Sequence, residues 1–411
     1  MGKKSTRSAH EARAQWETLE DWVRGNVQQY IQQLLEEEVT EFLGRHKSQR
    51  RELVAARQGY RNGYGKPRRL TLSCGTVTVQ RPRVRDAEKL FVSRVLPLFK
   101  RKSTAVSEVI PELYLHGLAQ GDFELALRGL LGEGAPLSGS TVARLKEKWQ
   151  AEFVQWQMRP LDDVHPVYCW VDGIYVKAGL EKEKAALLVV LAALSDGRKV
   201  VLAVTPGHRE STASWAAVLR DLQQRGLACP TLVIGDGHLG IWGALRNVYP
   251  QAAEQRCWNH RIVNVLDKLP KPQQPTATKL LTAIMYAATR REAHRRREQF
   301  VRWCEQRAYT KAAECLLADW ERLVRYYDFP QAHWQHLRTT NPVESPFAAA
   351  RLRTDAARRF KTVANATAVI WKILLVAERA FRRVKHPELM KGVYEGVQYS
   401  DGLTVKTKVA A

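Results

Sequence analysis

The segment Val167-Tyr168-Cys169-Trp170-Val171 is an apolar run that follows Pro166 and leads directly into Asp172-Gly173. Short apolar runs that are rich in β-branched and aromatic residues and bounded by turn residues are typical of buried β-strands. We therefore predict a buried strand over this segment, with Asp172 at its end. The residues that follow indicate which kind of sheet this strand joins.

Two further strands and a helix–strand–helix order complete the pattern. Ala185 to Leu194 and Lys199 to Thr205 predict strands that are joined by the hairpin turn Ser195-Asp196-Gly197. A helix over about residues 211–225, a strand over residues 231–234 and, after Asp236, a helix through Tyr249 follow. Because a right-handed crossover can return this last strand beside the first one, the order predicts an α/β fold with a mixed sheet.

Three carboxylates stand at the edges of predicted elements: Asp172, Asp236 between two glycines, and Glu344 in Asn341-Pro342-Val343-Glu344. Two aspartates at one sheet edge would repel each other, and a divalent metal would remove that conflict. Each aspartate alone is explained equally well as a turn residue. Glu344 is explained equally well by a capping box, with Asn341 as N-cap and Pro342 at the first helical position. Together the acids predict a site for a pair of divalent metals at a phosphodiester.

The charge of the chain predicts a polyanionic partner. Its 411 residues carry 65 Lys+Arg against 42 Asp+Glu, a formal charge of +23. Nucleic acid is the partner that such a surplus favours, although many basic surfaces are merely soluble. We predict DNA contacts by basic residues in a Tyr- and Arg-rich loop (58–69), after the strand at 76–80, and on the second helix of a helix-turn-helix-like segment (110–156). The helix-turn-helix pattern is explained equally well by plain packing of two helices. The residues predicted to contact DNA in these regions are Arg61, Lys66, Arg68, Arg69, Arg81, Arg83, Arg144 and Lys148.

The remaining signals concern the ends and the linking segments. An apolar stripe on a helix over about residues 11–45 must be covered by another domain or subunit. Residues 263–336 show helical periodicity and predict a helical insertion. Its most basic stretch contains Arg295 and Arg296, which are further candidates for DNA contact. Residues beyond 391 predict a flexible tail. Arg209 could touch phosphate before the helix at 211, and His238 lies two residues after Asp236, beside the metal site or the DNA.

The cysteines predict a reducing compartment, because six are scattered without a Cys-x-x-Cys pair. Cys257 and His260 form a Cys-x-x-His unit, for which a buried thiol beside a helix-start histidine is favoured over a zinc site that would need about four ligands. No apolar run is long enough for a membrane span. We therefore expect a cytoplasmic protein without a membrane partner.

The ordered motifs resemble the transposases of bacterial insertion sequences in the Mutator superfamily. The resemblance rests on Trp-Val-Asp-Gly-Ile-Tyr around Asp172, on Gly207-x-x-Glu-Ser-x-x-x-Trp215, and on Gly-Asp-Gly-His-Leu-Gly-Ile-Trp around Asp236. It continues in Gln-Arg-Cys-Trp-Asn-His through His260 and in Leu-Arg-Thr-Thr-Asn-Pro-Val-Glu-Ser around Glu344, with Arg351 and Arg353 beyond as further candidates for DNA contact. The turn at residues 118–122 lacks the Ser-Thr pair usual in this branch, which puts the recognition of specific DNA ends in doubt.

The resemblance implies a fold and an activity. The fold would be an RNase H-like mixed-sheet core, interrupted by the helical insertion and preceded by an α-rich DNA-binding region. The activity would be that of a DDE transposase with Asp172, Asp236 and Glu344 as its acids, two Mg²⁺ or Mn²⁺ ions as cofactors, and double-stranded DNA at the element's inverted repeats and at the target as substrate. Cys257 and His260 match a family signature of structural or DNA-related role. The protein would be bacterial and nucleoid-associated, and at least a homodimer, because two element ends must be held together.

Six regions follow from these signals: a helical candidate dimerisation region (1–50), a DNA-binding region (51–160), a first part of the catalytic core (161–262), the helical insertion (263–336), a second part of the core (337–391) and a flexible tail (392–411). Two other functions stay open at this point. A metal-dependent nuclease would cut DNA without joining strands, and a DNA-binding protein derived from a transposase would do neither.

Overall fold

The computed structural model describes residues 5–50, 58–97, 99–119, 121–131, 139–180, 183–207, 210–237 and 239–405. The chain divides into two compact units, Met1–Leu145 and Lys146–Ala411. The second unit contains all the acids that the sequence singles out. No helix in the described ranges is long and apolar enough to cross a membrane.

The first unit joins a long helix to two small hairpin-like sheets. Helix α1 spans Ser5–Leu43, and the strands are β1 (Gln58–Tyr64), β2 (Arg68–Leu72), β3 (Gly75–Val79) and β4 (Pro82–Ala87). The strands pair antiparallel as β1 with β4 and β2 with β3. The prediction of a loop over residues 58–69 is therefore wrong for most of this segment. Its Gly-, Tyr- and Arg-rich sequence lacks apolar alternation, and the pairing with β4 and β3 provides the order.

The apolar stripe of α1 is covered in its C-terminal part by the unit's own strands. Leu35 is fully buried in a cluster with Leu70, Val77 and Val79 from β2 and β3. Toward the other end of the helix, Trp22 is 66% exposed. In the C-terminal half of α1, the apolar stripe is thus covered by strands of the same unit.

Three helices follow: α2 (Thr104–Leu115), α3 (Phe123–Leu131) and α4 (Gly139–Gln157). The helical segment predicted from residue 110 onward is divided between α2 and α3. Gly117, with φ of +106°, lies in the turn that separates them. Residues 132–138, which include the start of the turn predicted for the helix-turn-helix, lie outside the described ranges.

The second unit is built on a five-stranded mixed sheet. Its strands are β5 (Pro166–Val176), β6 (Ala185–Leu194), β7 (Lys199–Gly207), β8 (Leu232–Gly235) and β9 (Ala253–Arg256), in the order β7-β6-β5-β8-β9. β5, β6 and β7 are antiparallel neighbours, whereas β5, β8 and β9 are parallel. The mixed α/β sheet and the four predicted strands are confirmed; β9, which is short and polar, was not predicted.

The end of the first strand was predicted wrongly. Asp172 lies inside β5, not at its end, because the pairing with β6 continues from Asp172 opposite Val189 to Val176 opposite Ala185. Gly173 therefore occupies a strand position. A turn role for Asp172 is thereby removed.

The two faces of β5 meet different parts of the chain, because successive strand residues point to opposite faces. One face carries Val171 into a core with Trp215 of α5 (Thr212–Gln224) and Trp242 of α6 (Leu239–Val248). On the other face, Tyr168 hydrogen-bonds His333 at 2.7 Å and the indole of Trp170 donates to the His336 carbonyl at 2.9 Å. Asp172 shares the strand face of Tyr168 and Trp170.

The segment between the sheet and the last helices is helical, as predicted. After α7 (Trp258–Leu266) come α8 (Gln274–Met285), α9 (Arg290–Glu305), α10 (Thr310–Leu317), α11 (Trp320–Leu323) and α12 (Trp334–Leu337). Three single 3₁₀ turns lie among them, at Lys271–Gln273, Arg325–Asp328 and Gln331–His333. The chain then forms α13 (Asn341–Ala357), which packs against β5, and α14 (Val363–Glu378), which packs against β7.

The C-terminal region differs from the sequence prediction. Helix α14 ends at Glu378, and α15 (Glu388–Tyr394) follows. Where a flexible tail was predicted from residue 392, the strands β10 (Tyr399–Ser400) and β11 (Leu403–Thr404) form a hairpin. Its turn is fixed from outside, because Asp401 accepts a 2.7 Å hydrogen bond from the Arg290 backbone N–H at the start of α9. A short polar segment of this kind gains its order from such contacts and not from its own pattern.

We expect Asp401→Ala to lower the free energy of unfolding by about 1–2 kcal/mol, because it leaves the N–H of Arg290 without its charged acceptor. Asp401→Asn is the matched control, since it keeps an acceptor and tolerates the positive φ of +48° at this position. Chemical denaturation measures both. Equal stability of the Ala variant and the wild type would contradict the anchoring role.

Candidate functional site

The parallel strands set the position of the two aspartates. Along β5 and β8, Cys169 pairs with Val233, Trp170 with Ile234 and Val171 with Gly235. The next residues in this register are Asp172 and Asp236, so the sheet places the two carboxylates side by side. The prediction that the two acids meet at neighbouring strands thus agrees with the register.

A third carboxylate, that of Glu210, joins them. Carboxylate oxygens of Asp172, Glu210 and Asp236 all lie within 4.8 Å of one another. Glu210 stands just before α5, is 8% exposed, and accepts a 2.8 Å hydrogen bond from the hydroxyl of Tyr175. Gly173 makes room for it, since a Cβ at that position would lie 2.4 Å from the Glu210 Oε1.

The crowding changes the acidity of Asp172. Burial, together with the negative charges of Asp236, Glu210 and Glu344, raises the pKa of its carboxyl to about 7 against the opposing effect of the 2.8 Å hydrogen bond from the Gly173 N–H. A carboxylate in this position is costly without a proton or a cation nearby. The local electrostatics therefore favour positive charge between these acids.

Glu344 lies in the same neighbourhood but groups with other partners. Ligand atoms of Cys257, His260 and Glu344 lie within 4.8 Å of one another. Thr340 joins the three: its hydroxyl lies 3.2 Å from the Cys257 sulfur and 3.4 Å from the His260 Nδ1, and it hydrogen-bonds the Glu344 carboxylate. The backbone N–H of Thr340 also donates to the Cys257 sulfur at 3.3 Å.

The capping box predicted for this helix is wrong in its details. Thr340, not Asn341, is the N-cap of α13, and Asn341 is already helical. The Asn341 side chain instead accepts a 3.0 Å hydrogen bond from Asn259. Glu344 therefore does not complete a capping box with Asn341, and its carboxylate faces Thr340 and His260.

The register of β9 explains why Cys257 takes part. Gly235 of β8 pairs with Arg256 of β9, and the Cys257 N–H donates to the Gly235 carbonyl at 2.8 Å. Cys257 thus stands beside Asp236 in the same way that Asp236 stands beside Asp172. A side-chain hydrogen bond between Cys257 and His260, together with the nearby charges of Glu344 and Asp236, raises the pKa of His260 to about 9 against the opposing effect of burial.

A buried arginine holds the loop after Asp236. Arg256 donates to the Gly237 carbonyl at 3.0 Å and to Asp319 at 2.6 Å. Gly237 has φ of +90°, and a Cβ there would lie 2.1 Å from the Arg256 guanidinium. Only glycine fits this turn. The second glycine of the Gly-Asp-Gly motif, Gly237, is therefore required by the backbone conformation and by the close approach of Arg256.

The two groups of side chains suit different ions. Three carboxylates offer hard oxygen ligands, the kind that Mg²⁺ and Mn²⁺ take. Cys257, His260 and Glu344 form a mixed sulfur, nitrogen and oxygen set with three protein ligands, the composition of some zinc sites. The hydrogen bonds of Thr340 already join the members of this second set, which agrees with the structural role favoured from the sequence.

The basic residues predicted to contact DNA fall into three sets. Arg61, Arg68 and Arg296 are engaged within the protein, with Thr40, the Lys100 carbonyl and Glu292 respectively, and Arg353 is buried at 2% exposure. Arg209 and His238 lie outside the described residues. Arg81 is half-buried, and the exposed candidates are Lys66, Arg69, Arg83, Arg144, Lys148, Arg295 and Arg351.

Sequence reasoning missed several residues of this site. Glu210 was noticed only as part of a motif before a helix, although a carboxylate at a strand-to-helix junction was itself a signal. Thr340 carried no signal apart from its position before Asn341. Asp319, which pairs with Arg256, lies in the helical segment 83 residues after Asp236, a separation that no local pattern connects.

Comparison with known proteins shows the class to which the chain belongs. Residues 2–383 match the family described as "Transposase, Mutator family", and the chain is a member of that family. It is 43% identical over 297 residues, 72% of this chain and 92% of the relative, to the transposase for insertion sequence element IS6120 of Mycolicibacterium smegmatis. It is 39% identical over 283 residues, 68% of this chain and 94% of the relative, to the transposase for insertion sequence element IST2 of Acidithiobacillus ferrooxidans. The family resemblance inferred from the motifs is confirmed.

We expect Cys257→Val to loosen the start of α13, because it leaves the buried N–H of Thr340 without its acceptor, at a cost of about 1–3 kcal/mol. Cys257→Ser is the matched control, since its hydroxyl can still accept. Hydrogen exchange of the backbone amides of Thr340, Asn341, Val343 and Glu344 measures the effect. If a zinc chelator speeds exchange in the wild type, and the Val and Ser variants exchange equally fast, the result would instead identify a metal site.

Proposed function

We propose that the protein is a DNA transposase that cuts strands at the ends of an insertion sequence and joins them to target DNA. The family membership supports the general activity. The observation that carries the residue assignment is the parallel register that aligns Asp172 with Asp236, beside the helix that bears Glu344. These three acids are the catalytic set that we propose.

We further propose that the sheet is an RNase H-like core. Support comes from its order, in which three antiparallel strands are followed by two parallel ones that reach the sheet through α5 and α6. Support also comes from the placement of the acids: Asp172 lies on the first strand of the sheet in chain order, Asp236 directly follows the fourth, and Glu344 lies on the helix α13. The helical segment between Asp236 and Glu344 would then be an insertion into this core.

The acids would act by holding divalent cations. In two-metal sites the ions activate the attacking oxygen and stabilise the leaving oxygen of a phosphodiester. Mg²⁺ and Mn²⁺ are the metals that suit carboxylate oxygen ligands. Asp172 and Asp236 would share one ion, and Glu344 would hold the second. Arg256 and Gly237 keep the Asp236 loop in place, while Cys257 and Thr340 keep the start of the Glu344 helix in place.

The proposed chemistry has two steps. In the first, a water oxygen forms a bond to phosphorus as the bond to the 3′-oxygen breaks, which leaves a 3′-hydroxyl at the element end. In the second, this hydroxyl attacks a phosphodiester of the target, and the target strand's 3′-oxygen leaves. Neither step requires a covalent bond to the protein, so we assign no serine or tyrosine nucleophile.

The alternatives differ in measurable products. A nuclease would give the first step without the second, and a strand-transfer assay with pre-cut ends separates the two. A non-catalytic DNA-binding protein would give neither step. DNA as the partner is supported by the formal charge of +23. That at least two copies act together stays a prediction.

We expect Asp172→Asn, Asp236→Asn and Glu344→Gln each to lower Mg²⁺-dependent strand cleavage at least about a hundredfold, because each removes a charge that would hold a cation. Glu305→Gln, at an exposed acid of α9, is the control and should retain full cleavage. A gel assay on labelled element ends measures the products. Substantial cleavage by a folded Asp172→Asn variant would defeat the assignment.

Two arginines of α13 offer a matched test of DNA contact. Arg351 follows Glu344 by seven residues, so it lies on the same helix face two turns along, and it is exposed. Arg353 is buried. We expect Arg351→Ala to reduce the log–log salt slope of DNA binding by about 1. Arg353→Ala should lower the melting temperature and leave the slope unchanged; equal slopes for Arg351→Ala and the wild type would remove Arg351 from the DNA-contacting surface.

A further inference from the structure

Glu210 is a carboxylate that the three-acid assignment does not use. It stands at the junction between β7 and α5 and is 8% exposed. Its side chain lies against β5, where Gly173 leaves the space for it. Gly240 of α6 has a matching role on the other side, since a Cβ there would lie 2.3 Å from the Glu210 carbonyl oxygen. Two glycines thus admit this segment to the centre of the site.

The Glu210 carboxylate lies beside the two aspartates and is not in the group of side chains that contains Glu344. Its oxygens fall in one group with those of Asp172 and Asp236, all within 4.8 Å of one another. Glu344 falls in the group of Cys257 and His260. The two positions in which cations would be held are therefore unequal, with three carboxylates at one and a single carboxylate at the other.

Tyr175 fixes the orientation of Glu210. Its hydroxyl donates to the Oε1 of Glu210 at 2.8 Å, and the pKa of Tyr175 is raised by burial and by this hydrogen bond. One oxygen of the carboxylate is thereby tied to β5. A carboxylate that is fixed in this way adds charge to the aspartate pair at little further entropic cost.

We propose that Glu210 is a ligand of the cation shared by Asp172 and Asp236, and that Tyr175 is its positioning residue. The inference rests on the proposed function, because it assumes that this pair holds a divalent cation. It adds that the Asp172 position binds its cation tightly without Glu344 and without DNA. The position at Glu344, with one carboxylate, depends on the DNA phosphate to complete it.

The cost of crowding supports a ligand role over a merely structural one. Three carboxylates within 4.8 Å repel one another, so in the absence of a cation Glu210 opposes the folding of its own surroundings. A residue with a purely structural role would instead stabilise the folded protein in the absence of a cation. Replacement by glutamine keeps an acceptor for the Tyr175 hydroxyl and removes only the charge.

The test is a Mn²⁺ titration of the full chain without DNA, with free Mn²⁺ followed by electron paramagnetic resonance. We expect Glu210→Gln to weaken the tighter Mn²⁺ site at least about tenfold, and Asp172→Asn to weaken it at least as much. Glu344→Gln should leave that site unchanged. Glu210→Asp keeps the charge on a shorter side chain and should show an intermediate loss, as should Tyr175→Phe.

A melting curve in metal-free buffer gives the second measurement. Glu210→Gln should melt at or above the wild-type temperature, and Mn²⁺ should stabilise it less than it stabilises the wild type. A variant with a lower metal-free melting temperature and wild-type Mn²⁺ affinity would show a structural residue and overturn the proposal. If Glu210→Gln keeps its Mn²⁺ affinity while Asp172→Asn loses it, the Glu210 assignment fails and the proposed function stands. If Asp172→Asn also keeps both its Mn²⁺ affinity and its cleavage, the proposed function itself fails.

Discussion

The parallel register of β5, β8 and β9 is the constraint on which the site depends. It pairs Val171 with Gly235 and Gly235 with Arg256, so the residues that follow, Asp172, Asp236 and Cys257, stand in a row across the sheet. A shift of one residue in β8 would turn Asp236 to the opposite face. The buried apolar residues of these strands therefore specify the site as well as the core, because they set the register.

Contacts between distant segments extend this row to the remaining groups. The Cys257 sulfur at the sheet edge accepts a hydrogen bond from the Thr340 N–H, and the Thr340 hydroxyl donates to the Glu344 carboxylate on α13. These two bonds fix the position of Glu344 relative to the sheet. Asp319 accepts hydrogen bonds from Arg256 and Arg261, so the helical segment supplies the charge that balances two buried arginines beside the Asp236 loop. The site is consequently assembled from six separate segments, those that contain Asp172, Glu210, Asp236, Cys257, Asp319 and Thr340, and each contributes few residues.

The sequence predicts the parts of this arrangement that rest on local pattern. The strands β5 to β8 follow from apolar runs bounded by turn residues, and the two aspartates follow from their position after such runs. β9 was missed because Ala-Glu-Gln-Arg is polar. Several partners of its buried side chains lie far along the chain, such as Leu323, 68 residues away, whose carbonyl accepts from the Gln255 side chain. Glu210 was missed for a related reason, since its partners Tyr175 and Gly173 belong to β5, more than 30 residues earlier in the chain. Local pattern cannot show pairing of this kind.

The position of β9 has a consequence for solubility. It lies at one edge of the sheet, and an uncovered edge strand offers its backbone to other chains. The helical segment covers this side: the Gln255 side chain accepts from the Tyr326 N–H at 2.8 Å, and the Trp258 indole donates to the Leu323 carbonyl at 2.8 Å. Excision of the helices to obtain a minimal core would uncover this strand, and the shortened protein would be prone to aggregate through strand addition.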